Sequence, residues 1–293
     1  MTDWSEHGAI PVEDAATEHP PTADEVRAEQ RRQHDRPSSD PRVVDERHSA
    51  AGHALACQRI VVLVDLDERS DAALDWGAAL SHALHTPLTL FVPDEIDSAE
   101  KPPGERDEEI GRTTDDADAW AHRLGVEVDA VRVVVGDVDR VLIEESNEHD
   151  IVVTEVTGAV GFTRLALGAE EHGLARQLRC PLVVVPARHG RQVGPIIADL
   201  GTHADESAVL AFATAVGRAM GREVLTSPLA DRSADPAEML RSCADEQHAS
   251  MVVTSTKPEH VLGGRLVGRV ADDLLHEPPC PVAIVPAESP DRT

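Results

Sequence analysis

IVVTEVTGAVGFTRLALGAEEHGLARQLRCPLVVVPA, residues 151–187, and MVVTSTKPEHVLGGRLVGRVADDLLHEPPCPVAIVPA, residues 251–287, align end to end without a gap. Matched pairs run through the whole block: Thr154 with Thr254, Gly168 with Gly268, Leu174 with Leu274, Cys180 with Cys280, and Pro186 with Pro286. Chance rarely aligns an apolar run, a glycine, a helical leucine and a Cys-Pro-strand-Pro ending together, so the block is an internal duplication. IVVT, PLVVVP, MVVT and PVAIVP are short apolar runs, the pattern of strands covered on both faces.

The repeat extends upstream. In the first copy, RIVVLVD from Arg59 to Asp65 reads as a buried strand, and SDAALDWGAALSHALH as a helix with Ala73, Trp76, Gly77, Leu80 and Leu84 on one stripe. TPLTLFV is a second strand. A helix carrying Ile110, Ala117, Trp120, Ala121 and Leu124 follows, with Gly125 suited to a left-handed C-terminal cap. VEVDAVRVVV is a third strand, Asp137 caps a helix running to about Asn147, and a last helix is expected near Glu170 to Leu178. In the second copy PIIAD answers VVLVD. SAVLAFATAVGRAM follows as a helix with Val209, Phe212, Val216 and Met220 on one face, and Asp235, Pro236 and Glu238 open another. Between Arg222 and Asp235 there is room for only one strand, so the second copy lacks one helix and one strand and is expected to hold about four strands. Strands alternating with helices of this length predict parallel sheets with right-handed crossovers. A strand bounded by proline at both ends suits a sheet edge, so the segments ending at Val185 and Val285 are expected to be edge strands of two sheets.

These boundaries divide the chain into an acidic tail over 1–57, a first domain over 58–187, a linker over 188–193, a shortened second domain over 194–287 and a short tail over 288–293. Residues 1–57 hold hardly any large aliphatics and are expected to be disordered, with a short helix possible from Ala23 to Gln33.

Composition removes several classes of function. Lys and Arg total 27 against 54 Asp and Glu, a formal charge of -27, which repels a phosphate backbone. Aromatics are 2% of the residues and Tyr is absent, so base-stacking platforms are missing too, and nucleic acid is excluded as a partner. Lys101 and Lys257 are the only lysines. Such an acidic, lysine-poor chain fits either concentrated intracellular salt or a GC-rich genome. The four cysteines show no C-x-x-C spacing and read as idle thiols of a reducing cytosol. His82 and His85 share a helix face without a thiol or carboxylate motif to complete a metal site. No serine-hydrolase elbow, Walker loop or zincin helix occurs, so no catalytic residue can be named. With no signal segment or apolar run of membrane length, the expected location is cytoplasmic and no membrane contact is expected.

The apolar first strand ending in Asp65 or Asp199, the G-D-x-x-x-V-L helix start at Gly136 and Asp137, the glycine-punctuated loop after the fourth strand and the Cys-Pro-strand-Pro ending together resemble the universal stress protein family. The resemblance implies two tandem α/β sandwiches of that type, the second shortened, acting in stress response without catalysis. In ATP-binding members the loop after the fourth strand resembles G-x-x-G, nine residues, then G-[S/T]. Glycines let backbone N–H groups approach phosphate, and a helix N-terminus supplies partial positive charge.

Carried over residue by residue, Asp65, Gly158 and Gly168 are present in the first copy, whereas Glu155 stands at the first glycine position and Ala169 replaces the hydroxyl residue. Glu170 and Glu171 follow, and carboxylates there repel a triphosphate by a few kcal/mol each at about 4 Å and a surface-like dielectric. In the second copy Asp199 and Gly268 are kept, Ser255 and Pro258 replace the leading glycines, and Lys257, Arg265 and Arg269 surround the loop. The first copy is therefore expected not to bind ATP. An adenine nucleotide in the second copy remains the alternative to a solvated basic patch, and Gly158, Gly161, Gly263 and Gly264 fit either a vestigial ligand loop or simple loop flexibility. In the family the last strand pairs across a dimer interface, so self-association through that strand, within the chain or between two chains, is also implied.

Overall fold

The computed structural model describes residues 42–43, 57–66, 71–94, 102–156, 174–187, 193–200, 206–227, 235–255, 258–261, 264–267 and 269–286. The expected helix over 23–33 lies outside them. A two-residue strand β1 (Arg42–Val43) lies within the segment that the sequence leaves unstructured. The first copy then runs β2 (Arg59–Leu63), α1 (Asp71–Leu84), β3 (Leu88–Asp94), α2 (Pro103–Arg123), β4 (Ala130–Val135), α3 (Val138–Glu145), β5 (Asp150–Val156), α4 (Leu174–Gln177) and β6 (Leu182–Pro186). The second copy runs β7 (Ile196–Ala198), α5 (Glu206–Met220), β8 (Val224–Thr226), α6 (Pro236–Glu246), β9 (Met251–Ser255), β10 (Pro258–Val261), β11 (Gly264–Val267), α7 (Arg269–His276) and β12 (Val282–Val285).

Local chemistry sets the helix ends where the sequence predicts them. The Asp137 carboxylate accepts from the Arg140 N–H at 3.1 Å, and that of Asp235 from the Ala237 N–H at 3.0 Å, each satisfying a donor of the first turn. Gly125 adopts φ 73° after α2, where the Val126 N–H returns to the Ala121 carbonyl, a left-handed stop that a side chain would strain. Ala117, Trp120 and Ala121 anchor α2, while Leu124 stays 40% exposed and does not join the stripe. Gly77 lets α1 lie on the sheet, since a Cβ there would come within 2.5 Å of Val62 Cγ2.

The largest departure from the sequence reading is in the sheet. Ten strands form one continuous sheet in the order β1-β8-β7-β9-β12-β6-β5-β2-β3-β4. The strands ending at Val185 and Val285 are not edges of separate sheets. They pair with each other, antiparallel, Val282 opposite Val184 and Ile284 opposite Leu182. The flanking prolines made them look like edges. Pro181 and Pro281 sit just outside the shared ladder, where only their carbonyls are used, accepting from the Val152 and Val252 N–H groups. The four strands β7, β8, β9 and β12 of the second copy are those expected, and the hairpin β10–β11 adds a separate two-stranded sheet.

Within each copy the neighbouring strands of the large sheet are parallel, so strand direction reverses at the β6–β12 seam. Each face carries one core that crosses this seam. One core joins Ile60, Val62, Leu74, Leu80 and Trp120 of the first copy to Ile196, Val209, Phe212 and Val253 of the second. The other joins Val61, Phe91, Leu142 and Leu174 to Leu240, Leu274 and Ile284. Helices α1 and α5 touch across the seam on the first of these faces.

Candidate functional site

Open α/β sheets place ligands outside the C-terminal ends of their strands, where the following helices begin. In the first copy that rim is formed by the ends of β2 and β5. Asp65 lies one residue beyond Val64, half-buried, on the face occupied by Val61 and Leu63. Thr154 lies on that same face near the end of β5, with Glu155 on the opposite one.

Glu155 is 5% exposed, and its carboxylate accepts the backbone N–H groups of Ala72 at 3.0 Å and Ala73 at 3.1 Å. These are free donors of the first turn of α1, where the helix carries its partial positive charge. A helix N-terminus attracts anions, and here the chain fills it with its own side chain. The sequence shows Glu155 only as a departure from glycine. That its carboxylate reaches α1 depends on how the helix meets the sheet, which no local pattern reveals.

The second copy arranges the same rim differently. The Thr254 hydroxyl donates to Asp199 Oδ2 at 2.8 Å, with both residues buried, and the Asp199 N–H donates to the Val253 carbonyl at 2.8 Å. The matched hydroxyl of Thr154 is buried and without a hydrogen-bond partner among the described residues. At the position of Glu155 stands Ser255, also buried, whose side chain carries no charge. Sequence reading paired Thr154 with Thr254 as repeat marks and missed that only the second holds the strand-end aspartate. The shared Thr was the available signal.

Of the remaining predicted positions, Gly158, Gly168, Ala169, Glu170 and Glu171 of the first copy and Lys257 and Gly268 of the second lie outside the described residues. Arg269 opens α7, and Arg265 lies on β11 opposite His260 in the β10–β11 ladder. The span that should be a glycine-rich loop in the second copy is thus partly a hairpin, with register Glu259 opposite Leu266 and Val261 opposite Gly264.

Other chemistry is quiet among the described residues. Burial pushes the Cys57 thiol up to about 11 and those of Cys180 and Cys280 to about 12, and Cys243 is raised for the same reason. All four are free and protonated at neutral pH, so thiolate nucleophilicity is suppressed. Asp139 on α3 is raised to about 6 by its half-buried position and by the neighbouring Asp137. No group of three or more metal-ligating side chains is gathered among the described residues. No described helix is long and apolar enough to cross a membrane.

The family model described as the universal stress protein family matches residues 56–186 and 196–286, more than half of the chain. No curated protein sequence matches. Among solved structures, the chain is similar to a functionally unknown protein from Pseudomonas aeruginosa PAO1, at 13% identity and a TM-score of 0.56, covering 80% of this chain and 94% of that one. It is also similar to a universal stress protein from Archaeoglobus fulgidus DSM 4304, at 12% identity and a TM-score of 0.53, covering 78% of this chain and 98% of that one. At these identities the likeness concerns the fold alone.

Proposed function

Because the chain belongs to the universal stress protein family, we propose that it works as a non-catalytic, cytoplasmic binding or scaffold module of the stress response, in which the first copy no longer takes a nucleotide. The observation that carries this reading is the Glu155 carboxylate, buried on the Ala72 and Ala73 N–H groups. A phosphate approaching that rim meets a carboxylate side chain in place of free donors. Each contact of this kind at about 4 Å costs a few kcal/mol at a surface-like dielectric, enough to remove micromolar affinity. The raised cysteine pKa values add support for a non-catalytic role, since they leave no thiolate for nucleophilic chemistry.

A second reading keeps an adenine nucleotide at the second copy. It is favoured by the Asp199–Thr254 bond, which fixes the strand-end aspartate, and by Ser255, which leaves that rim without the extra carboxylate. Lys257 and Arg269 would then serve the phosphates.

Thermal unfolding with and without millimolar Mg-ATP separates the two. The first reading expects no change in Tm. A rise of several degrees, as binding at a hundred times Kd produces through about 2.7 kcal/mol of linkage, would overturn it, and loss of that rise in Arg269→Glu would assign the nucleotide to the second copy. Phosphate release from ATP that persists above the buffer rate would defeat the non-catalytic role.

A further inference from the structure

The two copies do not end their sheets alike. The first contributes five strands, β6-β5-β2-β3-β4, and the second four, β12-β9-β7-β8. The place beside β8 that corresponds to β4 is held by β1, a segment from the far N-terminal side of the chain, paired antiparallel with Arg42 opposite Thr226 and Val43 opposite Leu225. Sheet edges invite other strands unless something blocks them. The outer strand of the first copy has such a block: Arg132 in mid-strand is 57% exposed and ion-paired to Glu145 at 2.8 Å. The β8 sequence, Val-Leu-Thr, holds no charge.

We propose that Arg42–Val43 is a built-in plug, an intramolecular stand-in for the missing strand that closes the β8 edge to any other extended segment. The chain has the reach to do this itself. From β1 to β2 is seven strand steps, roughly 34 Å, and the residues between Val43 and Arg59 extend to about 50 Å. Two residues give a shallow grip, so the plug is releasable. The edge it covers is a β-augmentation site, where main-chain hydrogen bonds supply the affinity. The proposal is independent of any nucleotide.

The test uses the full-length chain and amide hydrogen exchange over residues 222–227, with residues 195–199 on the interior strand β7 as the internal control. Replacing both Arg42→Pro and Val43→Pro removes the segment's N–H donors. Exchange over 222–227 is expected to rise roughly fivefold or more with the control unchanged. A synthetic peptide of residues 38–48, added in millimolar amounts, is expected to restore the wild-type rate. Unchanged exchange in the double variant would overturn the proposal, and failure of the peptide to restore protection would show that the edge accepts no strand. Protection in the wild-type chain that weakens on dilution would place the occupying segment on a second copy instead, against a plug held within one chain.

Discussion

At the start of its fourth strand the first copy buries a carboxylate, Asp150, against Arg59 at 2.7 Å, with the Asn147 N–H donating to the same oxygen at 3.1 Å. The second copy has Ser250 at the matched position, and its hydroxyl donates to the Pro195 carbonyl at 3.3 Å. At the other end of the same strands the pattern inverts: the second copy ties its aspartate to Thr254, while the first leaves Thr154 unsatisfied among the described residues and sends Glu155 into α1. Duplication preserved the apolar frame and left the polar contacts to diverge, so matched positions now have unmatched energetics. A buried ion pair is costly to halve, whereas a neutral hydrogen bond is not.

The sharpest way to break this comparison is at residue 59. Arg59→Met leaves the buried Asp150 carboxylate without its cation, held by the Asn147 donors, and is expected to cost about 3 kcal/mol by urea unfolding, while Ser250→Ala costs about 0.5–1 kcal/mol. Equal losses would mean that the two strand starts are held alike. Next in size is the threonine pair. Thr254→Val removes a donor from a buried aspartate and is expected to cost about 2 kcal/mol. Thr154→Val deletes a hydroxyl that has no partner among the described residues and is expected to be neutral or mildly stabilising, within about 0.5 kcal/mol. Opposite behaviour at one repeat position is the result that matters; a matching penalty at Thr154 would show that its hydroxyl has a partner after all.

The smallest effect depends on pH. Asp139 and Ala237 occupy the same place, two residues after the capping aspartates Asp137 and Asp235, and Ala237 is fully buried. The folded pKa of Asp139 is raised to about 6 against an ordinary 3.8. Its ionisation therefore opposes folding: stability is unaffected below about pH 4 and declines as the pH rises to about 6. Asp139→Ala, the second copy's own residue, is expected to gain on the order of 1 kcal/mol at pH 8, with solvent screening of the half-exposed carboxylate taken into account, and nothing at pH 4. Melting curves at the two pH values check it. A gain that is the same at both would trace the effect to helix propensity instead of charge.

The sequence carried what is local. The runs Ile60 to Val64 and Met251 to Val253 are apolar throughout because both faces of the sheet are covered, and the capping aspartates work within one turn. What the residue pattern alone hid is contact between distant segments. Leu182 and Ile284 are as apolar in an edge as in a seam, so the prolines beside them carried the inference, and they misled because the ladder starts just past Pro181 and Pro281. The candidate site shows the same division: Asp65 and Asp199 were found as strand ends, but nothing in the string ties Glu155 to Ala72 or Arg42 to Thr226.

The reversal of strand direction at the seam has a geometric corollary. Asp65 and Asp199, each just past the C-terminal end of its copy's first strand, open onto opposite rims of the slab. No single small molecule can bridge them, and whatever docks on one does so without crowding the other. What joins the two rims is the shared backbone ladder, the two cores that cross the seam and the α1–α5 contact, so the packed middle of the molecule, and not a common ligand, connects its halves.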